Sequence, residues 1–166
     1  MKLTVVFELL DPRSADWLGR GHMTINSNGK VITSKYVEAD QSMMIFLSIG
    51  DLLDGVRRCC MDKTAREFNF VGADCSFQLS FLRLGTDQIE IRGSRCNLGK
   101  FNVCEVTSAI NQGVTSFLKS NAHLVKPGDP VFNDLEKSVA DFEGVLECTW
   151  KCGVHQWWRN TPGMMR

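Results

Sequence analysis

Cys148, Cys152 and His155, in CTWKCGVH, are the residues of this chain whose types and spacing come nearest to a chemical site. Two thiolates four residues apart, with an imidazole three further on, offer three zinc ligands, and His22, His123 or a carboxylate is available as a fourth. A strong zinc signature has two paired half-sites, and here there is one. The plainer reading makes both cysteines small apolar residues that continue a helix. No metal or other cofactor is expected on this basis. Cys75, in GADCSF, is the best isolated thiol for nucleophilic attack. Such a thiol needs a positioned base, yet the histidines are only His22, His123 and His155, and no GxSxG-type turn presents a nucleophile. Burial in a reduced protein explains Cys75 and the adjacent Cys59 and Cys60 more simply. Asp74 and Asp87 fall in turns, where an Asx side chain bonds to local backbone. Neither GxGxxG nor GxxxxGK[ST] occurs between a strand and a helix, so a phosphate-cradling loop is unsupported.

Charge supplies a different candidate. Nineteen basic residues balance nineteen acidic ones, whereas a nucleic-acid binder carries a basic excess to neutralise phosphates, so no direct nucleic-acid partner is expected. The balance is broken locally. From Asp129 to Glu147 the acids are Asp129, Asp134, Glu136, Asp141, Glu143 and Glu147, against Lys137 as the single base. Trp150, Trp157 and Trp158 follow, and tryptophan is enriched where partners bind. Asp134, Glu136, Asp141, Glu143, Glu147, Trp150, Trp157 and Trp158 are therefore the expected partner-binding residues. The competing reading is a solvated acidic helix face beside tryptophans that close the core.

The elements that must position these residues can be read from periodicity. Lys2 to Leu10 is a strand, ended by Asp11-Pro12. Gly19 to Ser34 alternates His22, Thr24 and Asn26 against Met23 and Ile25, and Asn28-Gly29 closes it as a hairpin. From Ser42 to Met61 the period changes to three and four: Ile45, Ile49, Leu52, Leu53, Val56 and Cys60 share a helical face, with Ser42 as cap and Asp54 placed to pair with Arg58. Gly55 in that helix marks either weakness or close packing. Glu67 to Ile91 reads as a strand meander with short turns, which implies antiparallel pairing. Arg95 to Gly99 reads as loop. Thr107 to Ser120 is a second helix, with Ile110, Val114, Phe117 and Leu118 on one face. After Lys126-Pro127-Gly128-Asp129-Pro130, the spacing of Phe132, Leu135, Val139, Phe142 and Leu146 gives a third, to about Glu147.

The expectation is a single α+β domain over 1–166: an antiparallel sheet of about five or six strands with an N-terminal hairpin, packed by about three helices. Residues 148–166 are a flexible or partner-contacting tail. A chain of 166 residues buries roughly two thirds of its unfolded surface without help from disulfides. Seven irregularly spaced cysteines are unlike a secreted disulfide framework. The first residues read as strand rather than signal peptide, and no stretch approaches the roughly 20 apolar residues of a membrane span. A cytoplasmic protein, monomer or homodimer, without membrane contact is expected.

In organisation the chain resembles the immunity proteins of bacterial polymorphic-toxin and contact-dependent inhibition systems. The resemblance rests on the hairpin INSNGKVI, the helix GDLLDGVRRC, the strand block FNFVGADCSFQLSFLRL and the helix AINQGVTSFL, which together span most of residues 1–120. It implies a non-enzymatic inhibitor that binds one cognate toxin domain and occludes its active site. It transfers no functional residue, because such proteins share no diagnostic motif. A small thiol- or metal-dependent enzyme, or an adaptor subunit of a larger assembly, is the alternative.

Overall fold

The computed structural model describes residues 2–12, 16, 18–35, 40–62, 64–124 and 128–159, and for 122 and 147–159 the backbone alone. The chain is α+β, as expected, with its strands antiparallel and divided between two four-stranded sheets. The first sheet contains β1 (Thr4–Leu9), β2 (Arg20–Ser27), β3 (Lys30–Thr33) and β4 (Met43–Met44). β2 lies between β1 and β3, and the short β4 also pairs with its start, at Arg20 and Gly21. Asn28 and Gly29 have φ of 53° and 76°, so the predicted hairpin closes through a tight turn with two left-handed residues, the backbone that Asn-Gly favours. Met23 and Ile25 point into the core and His22 and Thr24 are half-buried on the other side.

Helix α1 (Ile45–Met61) follows, and β5 (Glu67–Val71), β6 (Gln78–Leu84), β7 (Gln88–Gly93) and β8 (Asn97–Asn102) form the second sheet as a meander in chain order. Ser42 does not cap α1. The cap position is Met44, without a side-chain hydrogen bond, while the Ser42 hydroxyl accepts from Arg20 Nε at 2.9 Å and donates to Asp40. Arg20 also reaches the carboxylate of Asp74 at 2.8 Å, so one guanidinium ties the start of β2 to the turn before β6. At the other end of α1, Arg83 donates to the carbonyls of Cys59 and Asp62. The expected Asp54–Arg58 pair is replaced by Arg57 and Asp54 at 3.8 Å. Gly55 marks close packing: a Cβ built there falls 2.0 Å from the ring of Phe68 on β5.

The segment expected as loop, Arg95 to Gly99, contributes to β8, and helix α2 (Val103–Ser120) starts four residues before Thr107. Its start is a capping box: the Asn102 side chain accepts from the Cys104 N–H at 2.8 Å, and Glu105 reaches back to the Asn102 N–H at 3.0 Å. A 3-10 turn (Ala122–Leu124) leads on to α3 (Pro130–Arg159), longer than the periodicity to Glu147 indicates.

Both sheets and all three helices feed one core. Val5, Phe7, Met23 and Ile25 from the first sheet and Phe70, Leu79, Phe81, Ile89 and Ile91 from the second are buried in it. α2 lies on β1, α1 on β5 and β6, and α3 packs against α1 and α2 as a further layer. The ring of Phe46 on α1 meets Phe117 of α2 at 5.4 Å and Phe132 of α3 at 5.0 Å. α3 is thus mounted on a platform of two helices.

Candidate functional site

The start of α3 is set by its sequence. Asp129 accepts the Val131 N–H at 3.0 Å, and Pro130 occupies the first helical position, where its missing N–H costs nothing. Phe132, Leu135, Phe142 and Val145 form the buried stripe. Ser138 lies in the same stripe, and its hydroxyl donates to Asp54 on α1 at 3.2 Å.

Asp134, Glu136, Asp141 and Glu143 are all exposed, but they do not share a face. Two residues along a helix is a rotation of about 200°, so the aspartates and the glutamates leave the buried stripe on opposite sides. Asp134 and Asp141 face α1 across a polar groove of about 350 Å³, where Asp51, Asp54, Arg57 and Lys137 also lie. Glu136 and Glu143 border a groove of about 520 Å³ on the α2 side, floored by Leu118, Phe132, Leu135, Val139 and Ala140. The sequence reading missed Leu118, Val139 and Ala140 as groove residues, although the seven-residue spacing of Glu136 and Glu143 around Val139 and Ala140 was there to be read. Glu147, Trp150, Trp157 and Trp158 belong to α3 by backbone, and their side chains lie outside the described residues, as do those of Cys148, Cys152 and His155.

On the α1 side Asp51 is exposed overall, and the partial burial it has in the groove pushes its carboxyl above the usual carboxylate range, with the charge of Asp54 adding to the effect. A carboxyl raised by folding destabilises the fold while ionised, and the penalty fades as pH falls through its folded value. Asp51→Asn is therefore expected to give a small rise in Tm at pH 7 that shrinks as pH approaches the ordinary value of 3.8. Thermal melts across that range check it, and a lower Tm at pH 7 would show instead that the carboxylate is held by attraction to Arg58.

Cys59, Cys60 and Cys75 occupy packing positions. Cys59 is buried, with Sγ 3.8 Å from the Phe81 carbonyl, and burial pushes its thiol up. Burial, reinforced by Cys59, pushes Cys60 up to about 12, far from a reactive thiolate. Cys75 packs beside the core with Sγ 3.5 Å from the Gly72 carbonyl. Asp74 sits in a turn, at a φ of 60°, but its carboxylate meets Arg20 at 2.8 Å rather than the local backbone expected of it. His22 Nδ1 is 3.0 Å from the Ser34 hydroxyl, and His123 is exposed. Among the described residues no group of three His, Cys, Asp or Glu is arranged to hold a metal ion. No helix among them is long and apolar enough to cross a membrane.

Comparison of the chain with protein-family models, with curated proteins and with solved structures gives no match.

Proposed function

We propose that this protein is an inhibitor of the immunity type, which binds a cognate bacterial toxin domain and blocks its active site with the outer surface of α3. The observation that carries the proposal is the division of α3: one buried stripe fastens it to α1 and α2, and exposed carboxylates line a groove on either side. An acidic ridge of this kind accelerates encounter with a basic surface, and the grooves beside it supply area to desolvate. A toxin that acts on nucleic acid presents such a basic surface at its active site. The enzymatic reading rests on Cys75, which makes a local turn contact, and on Cys148, Cys152 and His155, whose side chains lie outside the described residues.

Two measurements test this. The product of the adjacent upstream gene, expressed alone in a bacterial host, is expected to arrest growth, and co-expression of this chain is expected to restore it and to yield a complex on purification. No arrest, or no rescue and no complex, removes the immunity reading. In the complex, reversing the charges of Glu136, Asp141 and Glu143 together is expected to slow association about tenfold or more at low salt. An unchanged association rate takes the α3 acids out of the interface.

A further inference from the structure

The two grooves beside α3 differ in how their charge is answered. On the α1 side the chain supplies Arg57 and Lys137 among the acids. Among the described residues the α2-side groove has no basic residue in its lining, and neither Glu136 nor Glu143 has an ion-pair partner. Its floor is apolar: Phe132 and Leu135, both buried, with Leu118, Val139 and Ala140 beside them. It follows α3 from Phe132 to Glu143, a span of about 16 Å at the helical rise, and the two carboxylates stand about two turns apart along one rim.

A furrow that runs along α3, with Leu118 of α2 on its far side, has the length and the rim to take a further helix rather than a compact small molecule. Relying on the reading that the protein binds another protein, we infer that the α2-side groove seats one amphipathic helix of that partner. The helix carries Lys or Arg at positions seven residues apart, flanking an apolar stripe. The stripe lies on Val139, Ala140 and Leu118, and the two cations meet Glu136 and Glu143.

The test uses the full chain and a defined probe, an amidated helical peptide of about 18 residues with leucine on one face and lysines seven apart along its border. Methyl NMR shifts on titration are expected to be confined to Leu118, Leu135, Val139 and Ala140. Glu136→Gln with Glu143→Gln is expected to weaken binding about tenfold, as is replacing the peptide's lysines by glutamate. Ala140→Trp fills the groove and is expected to abolish binding. The substituted positions Glu136, Ala140 and Glu143 are exposed, and circular dichroism verifies that the variants fold. Asp134→Asn with Asp141→Asn, on the other flank, removes as much charge from the α1-side groove and is expected to weaken peptide binding no more than about twofold. Equal loss from the two flanks, or shifts elsewhere on the surface, overturns the inference. So does uptake of the neutral dye Nile red in the groove that is blind to the Glu substitutions, which assigns the groove to a small apolar ligand. A dimer of the wild type dissolved by Ala140→Trp overturns it in favour of a second copy. With the co-purified toxin the two readings separate. Capture by wild type and by Ala140→Trp alike sinks the groove but keeps the inhibitor, whereas failure of the wild type to capture any toxin sinks the inhibitor and leaves the peptide result standing.

Discussion

Phe46→Ala is expected to lower the free energy of unfolding by about 4 kcal/mol, in the range for deleting a fully enclosed aromatic ring. Phe46 is 1% exposed and sits in the first turn of α1. Its ring lies edge-on to Phe132 at 5.0 Å and tilted against Phe117 at 5.4 Å, and Phe117 in turn meets Phe7 of β1 at 6.1 Å. One side chain therefore holds a contact to each of the other two helices. Its removal leaves a cavity where three helices and β1 converge, and rigid helices cannot all close in on that space. Domains of this size are stable by roughly 5–15 kcal/mol, so the variant remains folded but marginal. The loss should not be spread evenly. α3 is anchored on helices rather than sheets, and its first turn docks through Phe132 against this ring. Amide exchange in α3 is therefore expected to speed up more than exchange in β6 and β7. Urea denaturation gives the total and hydrogen exchange its distribution. A loss below about 1.5 kcal/mol, or uniform exchange, would mean that α3 is mounted by other contacts. The functional consequence is specific: the grooves beside α3 depend on a ring that touches neither carboxylate rim.

Where the structure departs from the sequence reading, identifiable physics intervenes. Local patterns with a fixed period were legible: the Asn28-Gly29 hairpin and the meander appear where alternation places them, whereas the stripe of α3 keeps Phe132, Leu135 and Phe142 but buries Ser138 and Val145 where the spacing points to Val139 and Leu146, which are half-buried. β8 was hidden because its buried residues, Leu98 and Phe101, stand three apart. Gly99, at a φ of 108°, and a shift of register opposite Ile91 and Arg92 break the period of two, so a strand imitates a loop. The capping box at Asn102 and Glu105 was visible in spacing, but Val103 and Cys104 extend the apolar pattern of β8 and obscure the boundary. The division into two sheets is carried by long-range contacts, including Lys30 Nζ to the Asn97 carbonyl at 2.9 Å, which no local window contains. For the candidate site, the acids of α3 were legible as residues and not as an arrangement. Counting charges from Asp129 to Glu147 merges Asp134 and Asp141 with Glu136 and Glu143. Only the packing of α1 and α2 on either side separates them into a groove with its own cations and one that, among the described residues, has none.

Gly113→Ala is expected to destabilise the protein by about 3 kcal/mol, against the usual preference of a helix for alanine. Elsewhere in a helix the exchange stabilises by about 1 kcal/mol, and Gly144 on α3 provides the reference, since a Cβ there meets nothing within 4 Å. At Gly113, buried in the middle of α2, the added carbon falls 2.5 Å from the Val5 carbonyl oxygen and 3.1 Å from its carbonyl carbon. These are backbone atoms of a paired strand, so no side-chain rotation relieves the overlap. Either α2 lifts from β1 or β1 shifts against β2, and each movement loosens Ala109, Ile110 and Phe117, which are buried on the same helix. The clash at Gly55 is softer, because the obstacle is the half-buried ring of Phe68, and Gly55→Ala together with Phe68→Leu should recover much of the loss. No such partner substitution exists for a carbonyl. Chemical denaturation of Gly113→Ala and Gly144→Ala side by side is expected to give changes of opposite sign. If Gly113→Ala is as stable as the wild type, α2 does not lie against β1 as closely as the contact with Val5 requires, and the placement of Leu118 on the floor of the α2-side groove falls with it.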